Sequence, residues 1–496
     1  MIALLLGGAG LAALARRMAT PYPALVAVAG AALAFVPRVP TLVLDPELAL
    51  ALFVAPVLLD AAFDASQRDL RANWRTVASL ALGAVALTIA VVALVAHALV
   101  PGMPWAAAIA LGAIVAPPDA AAATAVLKQL RPPHRLMVIL EGESLFNDAS
   151  ALLVYRIAVG AAFTGFVSGW SLLPMMLFVT LGSLILGLVL SRVMLFIALK
   201  ISDVATAVIV QFCGTFAVWM LAERLHLSGI LTMVVFAMAL TRRAGELTPA
   251  RIRVPSFAVW EVAVFVLNVL AFILVGFQLR LIVTRLERSM WIEYAWVAVA
   301  VCAAVILARI AWVMMSVAVR RDALALSRRA AAVVGWCGMR GTVTLAAALA
   351  LPTRFPHRDL ILFTAFAVVL GTLVVQGMTL RPLMNWLKIE HDDQVEREVR
   401  LARVETLRAA LAACAASAGA EAAALVRRRY ELLLRRAEGV PQAVAADAEV
   451  IRATVAAERQ RLNALRADGT ISDAAFQQVE QELDWEELDL EQLVRD

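Results

Sequence analysis

Apolar runs of helical length follow one another from residue 2 to residue 387, and few folds accept such a chain. A helix that crosses a bilayer needs about 20 mainly apolar residues. Lipid offers backbone N–H and C=O groups no partner, so only helices and closed barrels span it. Thirteen candidate runs lie near residues 2–15, 22–37, 46–64, 75–99, 103–127, 136–163, 171–199, 203–222, 226–241, 256–279, 291–319, 330–351 and 359–387. The alternating pattern of a membrane strand is absent, which argues against a β-barrel. The charged fraction is 17 % and the mean hydropathy +0.83, against about a quarter charged in soluble chains. The expected class is an all-α membrane protein.

No basic segment and no cleavage site precede Arg16-Arg17, so the first run reads as a retained span rather than a signal peptide. Arginine placement sets the orientation. Arg16 and Arg17, then Arg68, Arg71 and Arg75, then Lys128, Arg131 and Arg135, fall in alternate loops. Arg242, Arg243, Arg251 and Arg253 continue the series, as do Arg320, Arg321, Arg328 and Arg329; Arg280, Arg285 and Arg288 are the exception. The positive-inside rule puts this set in the cytoplasm, with the N-terminus outside and the C-terminus inside. The net charge of +5 therefore reflects topology and calls for no nucleic-acid partner. Cys213, Cys302, Cys337 and Cys414 form no CxxC pair and read as small apolar residues.

Composition changes abruptly near residue 389. Residues 1–388 are expected to form the transmembrane domain and residues 389–496 a cytosolic helical tail, a hairpin or bundle rich in Ala, Leu, Arg and Glu. Gly439-Val440-Pro441 and Asp468-Gly469 mark helix breaks in it.

Charges inside the apolar runs carry the chemistry, because an intramembrane carboxylate costs about 3 kcal/mol or more and usually marks an ion or proton path. Asp148 lies in the sixth run and Asp119 in the fifth. Pro117-Pro118 removes two backbone donors just before Asp119 and breaks the helix, so the break must face protein or water. In the twelfth run, Gly335-Trp336-Cys337-Gly338-Met339-Arg340-Gly341-Thr342 is a second interruption, of opposite direction in the membrane, as an inverted repeat requires. Arg340 there is suited to neutralise the negative ends of broken half-helices. Ser144 and Asp148 are four apart and share a helix face, which would meet the ion. Glu143 and Asn147 share the adjacent face, with Asn147 orienting Glu143. Glu143 needs a cationic partner: Arg309, alone in the eleventh run, or Arg340. Asp60, late in the third run, either lines a cytoplasmic funnel or sits at the membrane interface. Glu261 and Asn268, seven apart, share a face suited to helix–helix hydrogen bonding.

The segments Ala116-Pro117-Pro118-Asp119-Ala120, Gly142-Glu143-Ser144-Leu145-Phe146-Asn147-Asp148-Ala149 and Gly338-Met339-Arg340-Gly341 occur in order at suitable spacing. With Trp260-Glu261, Asn268 and Gly276-Phe277-Gln278-Leu279, they resemble the signatures of the monovalent cation/proton antiporters of the NhaP/NHE (sodium/hydrogen exchanger) family, bacterial type. The tail from Ile471 to Asp484 is similar to bacterial members as well. The resemblance implies thirteen spans with inverted repeats, two broken crossing helices, a homodimer in the cell (inner) membrane and elevator-like alternating access. It makes Asp148 the ion- and proton-binding carboxylate and Asp119 and Ser144 its co-ligands for Na⁺. Glu143, Asn147, Arg309 and Arg340 become a supporting network, and Asp60 a nearby acid. One departure is Pro118, where many bacterial members carry a Thr. A hydroxyl ligand is lost there and a carbonyl remains, which bears on ion selectivity.

A solvated aspartate titrates near pH 3.9, too low for exchange near neutrality; a carboxyl buried beside another exchanges its proton closer to neutral pH. One carboxylate that holds either a proton or a cation gives electroneutral exchange. No phosphate-binding glycine loop is present, so neither ATP nor a bound cofactor is expected. Potassium in place of sodium keeps the same fold. An intramembrane aspartyl protease would need Gly-x-Gly-Asp, which the chain lacks. A channel would need no proton coupling, and a sensor would act through its tail.

Overall fold

The computed structural model describes residues 2–18, 22–34, 46–127, 130, 132–164, 169–285, 290–319, 327–389, 392–416, 421–438, 441–468 and 470–492. Of the residues singled out above, Lys128, Arg131, Arg288, Arg320, Arg321, Gly439, Val440 and Gly469 lie outside these. The side chains of Arg16, Phe277, Gln278, Leu279, Arg280 and Arg285 are also outside the description.

All regular structure among the described residues is helical, and the chain divides into two compact units, Met1–His391 and Asp392–Asp496. The first holds α1 (Ile2–Met18), α2 (Tyr22–Ala34), α3 (Pro46–Asp64), α4 (Gln67–Ala78), α5 (Val85–Leu99), α6 (Trp105–Val115), α7 (Ala120–Leu127) and α8 (His134–Thr164). It continues with α9 (Gly169–Ala198), α10 (Val204–Arg224), α11 (Gly229–Leu247), α12 (Ala250–Arg285), α13 (Met290–Val319), α14 (Arg328–Trp336), α15 (Thr342–Leu349) and α16 (Arg358–Leu387). Seven helices among the described residues are long and apolar enough to cross a bilayer, and four more are apolar but shorter. The runs at 103–127 and 330–351 are not single helices. Each is a pair of half-helices, α6/α7 and α14/α15, interrupted at 116–119 and 337–341.

Helix α8, which carries Asp148, runs through the middle of the packing. Its Ala151, Tyr155 and Ala158 join a core with α5, α6, α13, α15 and α16. Its Leu136, Ile139 and Leu140 join a second core with α2, α7, α12, α14 and α16. Leu145 joins a third with α3, α4, α10 and α11. Polar residues on the buried faces of such a helix need local partners.

One irregularity was not legible from hydropathy. Helices α4 and α5 are joined without interruption by a π-helical turn, Ser79–Ala84. Such turns shift the hydrogen-bond ladder and free carbonyls. Ser150 Oγ of α8 donates to the Ala81 carbonyl at 2.7 Å, and Trp312 Nε1 of α13 to the Ser79 carbonyl at 3.0 Å.

The second unit comprises α17 (Gln394–Ala416), α18 (Glu421–Ala437), α19 (Pro441–Ala467) and α20 (Asp473–Gln492). α17 packs on α18 and α19 on α20. Arg459 of α19 binds both Asp484 (2.5 Å) and Glu487 of α20, which holds its guanidinium charge more firmly than in water. Arg466 lies over the Phe476 ring at 4.5 Å.

Candidate ion-binding site

The two helix interruptions meet. The backbone N–H of Asp119, in the first, donates to the carbonyl of Met339, in the second, at 2.7 Å. Each interruption strands backbone groups in a low-dielectric interior, where an unmade hydrogen bond costs several kcal/mol. Their partners can be followed one by one. Arg340 Nε donates to the Val115 carbonyl at 2.9 Å and its Nη2 to the Ala116 carbonyl at 3.1 Å, closing the C-terminal end of α6. Its Nη1 donates to the Gly338 carbonyl of its own loop. Asn147 Nδ2 of α8 donates to the Pro118 carbonyl at 2.9 Å. The first amide of α7, Ala120 N–H, donates to Ser144 Oγ at 3.3 Å. The Arg340 N–H donates to Thr372 Oγ1 of α16 at 3.0 Å.

The end of α14 is closed in the same way by the second buried guanidinium. Arg309 of α13 donates from Nη2 and Nε to the Val334 carbonyl, at 3.1 and 3.3 Å. The same guanidinium grips Glu143 with both nitrogens, Nη1 to Oε1 and Nη2 to Oε2, the latter at 2.8 Å. The pair is almost fully buried, at 2 % and 1 % exposure. Thus the negative end of each broken half-helix meets one guanidinium, as helix dipoles favour. Glu143 pairs with Arg309, and Arg340 binds carbonyls.

Glycine in the second interruption answers to space. A Cβ on Gly341 would overlap the Asp119 carboxylate, and one on Gly338 would press on both guanidiniums, 2.6 Å from Arg309 Cδ and 2.9 Å from Arg340 Nη1. Gly341→Ala is therefore expected to displace the Asp119 side chain. Proteoliposome titrations should show a cation requirement raised at least about tenfold, the loss of one modest ligand contact, while the protein stays monodisperse.

Asp148 is buried, at 6 % exposure, and close enough to Asp119 for their charges to interact. Asp119 and Ser144 are half-buried. No cation pairs with Asp148 among the described residues, since Arg309 and Arg340 are engaged elsewhere. Asn147 Oδ1, also buried, has no partner.

Two sequence expectations need correction. Asn147 does not orient Glu143; it reaches across to the first helix break, because spacing of four fixes a shared face but not a partner. Glu261 is exposed, and of the pair only Asn268 makes the expected helix–helix hydrogen bond. Asn268 hydrogen-bonds Tyr22 of α2, and α2 begins at Tyr22, beside Phe265 (ring centroids 5.6 Å), a turn beyond Glu261. Asp60 is half-buried late in α3, which packs on α15 as well as on α11. Sequence reasoning missed Thr372, Ser150 and Tyr22. Only Ser150, one turn past Asn147, stood near a recognisable motif.

Comparison with known proteins follows the same lines. Residues 1–386 match the family model described as sodium/hydrogen exchanger, transmembrane. The chain is 30 % identical over 499 residues to an uncharacterized Na(+)/H(+) exchanger of Mycobacterium tuberculosis, covering 94 % of this chain and 91 % of that protein. It is 31 % identical over 389 residues to a sodium, potassium, lithium and rubidium/H(+) antiporter of Bacillus subtilis, covering 73 % and 57 %. Among solved structures it is similar in fold to the sodium proton antiporter MjNhaP1 from Methanocaldococcus jannaschii. The TM-score is 0.63 at 18 % identity, over 76 % of this chain and 97 % of that one.

Proposed function

The chain belongs to the sodium/hydrogen exchanger family and is a multi-pass cation/proton antiporter, not an enzyme, and on that premise we propose that it exchanges Na⁺ for H⁺ electroneutrally by competition at Asp148. One observation carries this reading: a buried carboxylate within reach of the Asp119 charge and with no cation paired to it among the described residues, the buried guanidiniums of Arg309 and Arg340 being committed to other groups. Its charge is left for an exchangeable cation. Asp119 and Ser144 supply further oxygens beside it. A proton and a cation exclude each other at Asp148, because either one neutralises the same carboxylate. The neutralised site crosses the apolar interior; the empty charged site does not, since an unpaired charge there is costly. One proton then moves for one monovalent ion.

Alternating access moves the unit built on the crossed half-helices as a rigid body, in a homodimer in the inner membrane with the tail in the cytoplasm. Glu143, Asn147, Arg309 and Arg340 hold the crossing together while Asp148 changes partners. Asp60 acts as an acid in the approach to the site. Potassium transport is the second reading. The Bacillus subtilis relative is named for four monovalent cations, and Pro118 gives the site a carbonyl rather than a hydroxyl.

The test is cation-dependent proton movement in proteoliposomes that carry a pH dye. Na⁺, Li⁺ and K⁺ are added in turn, with the membrane voltage clamped at two values by an independent ionophore. A response to Na⁺ that is the same at both voltages is expected. A response to K⁺ alone replaces the sodium assignment; a voltage-dependent response removes electroneutrality; no response from folded protein removes the proposal.

A further inference from the structure

A cavity of about 1260 Å³ opens between α4 and α8 on one side and α10 and α11 on the other; Asp148 does not line it, though its neighbours Phe146 and Ala149 and the end of α15 at Leu349 do. Its α4 wall runs from Gln67 through Arg71, Trp74 and Ala78 and on through the π-helical turn to Leu82, residues three to four apart on one helix face. At 1.5 Å per residue that wall is about 22 Å long, more than one leaflet of the hydrocarbon core. The middle is apolar, with Phe146, Leu152, Leu153 and Ile230 among its lining. Trp74, Leu82 and Met220 line it and are also exposed, at 60, 61 and 48 %, so it opens sideways along the helices.

The mouth at the start of α4 is cationic. Arg71 is exposed and has no hydrogen-bond or ion-pair partner among the described residues. Arg242 of α11 donates to neutral Gln67, whose Nε2 donates to the Met238 carbonyl at 2.5 Å. Among the described residues that line this mouth there is no acid. The opposite end carries Arg156, Arg224 and Arg358, but Glu223 there holds Arg156 at 2.7 Å and Arg358 Nε is turned onto the Leu351 carbonyl.

From this charge pattern and shape, we propose that the groove binds an anionic phospholipid, its acyl chain along Trp74, Phe146 and Leu153 and its phosphate between Arg71 and Arg242. An exposed tryptophan beside arginine fits the headgroup boundary, and each arginine near an anionic headgroup favours it about fivefold. A lipid seated there touches α8, which carries Asp148, and α4, as well as α10 and α11, so its identity would bear on how these helices slide. The inference rests on the groove and not on which ion is carried.

The experiment uses the full chain in phosphatidylcholine bilayers with rising fractions of brominated phosphatidylglycerol or brominated phosphatidylcholine. Quenching of Trp74 is the difference between wild type and Trp74→Phe. Brominated phosphatidylglycerol is expected to quench at about a 25-fold lower mole fraction. The preference should vanish in Arg71→Gln/Arg242→Gln and persist in Arg71→Lys, which keeps the charge if the double variant fails to fold. Equal quenching by both lipids overturns the proposal, as does preference retained in the double variant or lost instead in Arg224→Gln. Quenching by neither lipid also overturns it, since a protein surface, such as a second copy, then covers the groove.

Discussion

Asp148→Asn is expected to reduce cation-driven proton exchange to background while leaving the protein folded. Two unit charges about 4 Å apart attract by about 4 kcal/mol at an effective dielectric of 20, about a thousandfold in affinity. Asparagine keeps the shape of the side chain and removes both the charge and the titration, so neither ion nor proton is held in competition. The variant's thermal stability separates this role from a structural one. A buried carboxylate with no paired cation is a burden to the fold, so neutralising it should leave the unfolding temperature unchanged or raised. Asp148→Glu, which keeps the charge on a longer stem, should retain part of the activity with altered cation affinity. Asp119→Asn should weaken cation binding without abolishing exchange. Transport that survives in Asp148→Asn would place the exchanging group elsewhere. An unfolding temperature that drops in the same variant would mean that the carboxylate serves the packing.

The parts of this site that could be read from sequence are those where one residue type has one physical consequence. Pro117-Pro118 cannot continue a helix, and a glycine-flanked arginine in an apolar run has few uses other than meeting negative backbone. Both interruptions appear where those residues sit. What a polar side chain bonds to is another matter. Asn147 sits one turn from Glu143, yet the demand its amide meets comes from Pro118, whose carbonyl the helix break strands. That demand exists only once the half-helices cross. Thr372 is a lone hydroxyl in a long apolar helix, and its use as the partner of the Arg340 N–H follows from the same crossing. The π-helical turn leaves no mark in hydropathy, because one added residue per turn changes the ladder and not the composition. The glycines illustrate the point from the other side. Their sequence marked an interruption, and what approaches Gly338 and Gly341 there is two guanidiniums and a carboxylate.

Glu143→Gln should behave unlike Asp148→Asn, and the contrast tests the division between supporting and exchanging acids. Glu143 is the partner of a guanidinium that is itself buried. Removing one member of a buried pair leaves an uncompensated charge and typically costs about 3–5 kcal/mol, a large share of a stability of about 5–15 kcal/mol. Low yield, a lowered unfolding temperature and loss of transport should therefore appear together. Neutralising both partners, as Glu143→Gln/Arg309→Met, removes the stranded charge but leaves the Val334 carbonyl without Arg309. An orphaned buried carbonyl costs about 1–3 kcal/mol, so the double variant should recover part of the unfolding temperature lost in the single one, and not all of it. Two scans in the same detergent decide the matter. Partial rescue in the double variant supports a pair whose work is to hold α8 against α13 and the end of α14. A Glu143→Gln protein with the wild-type unfolding temperature and no transport would instead make Glu143 a ligand of the transported ion, and the supporting network would have to be redrawn without it.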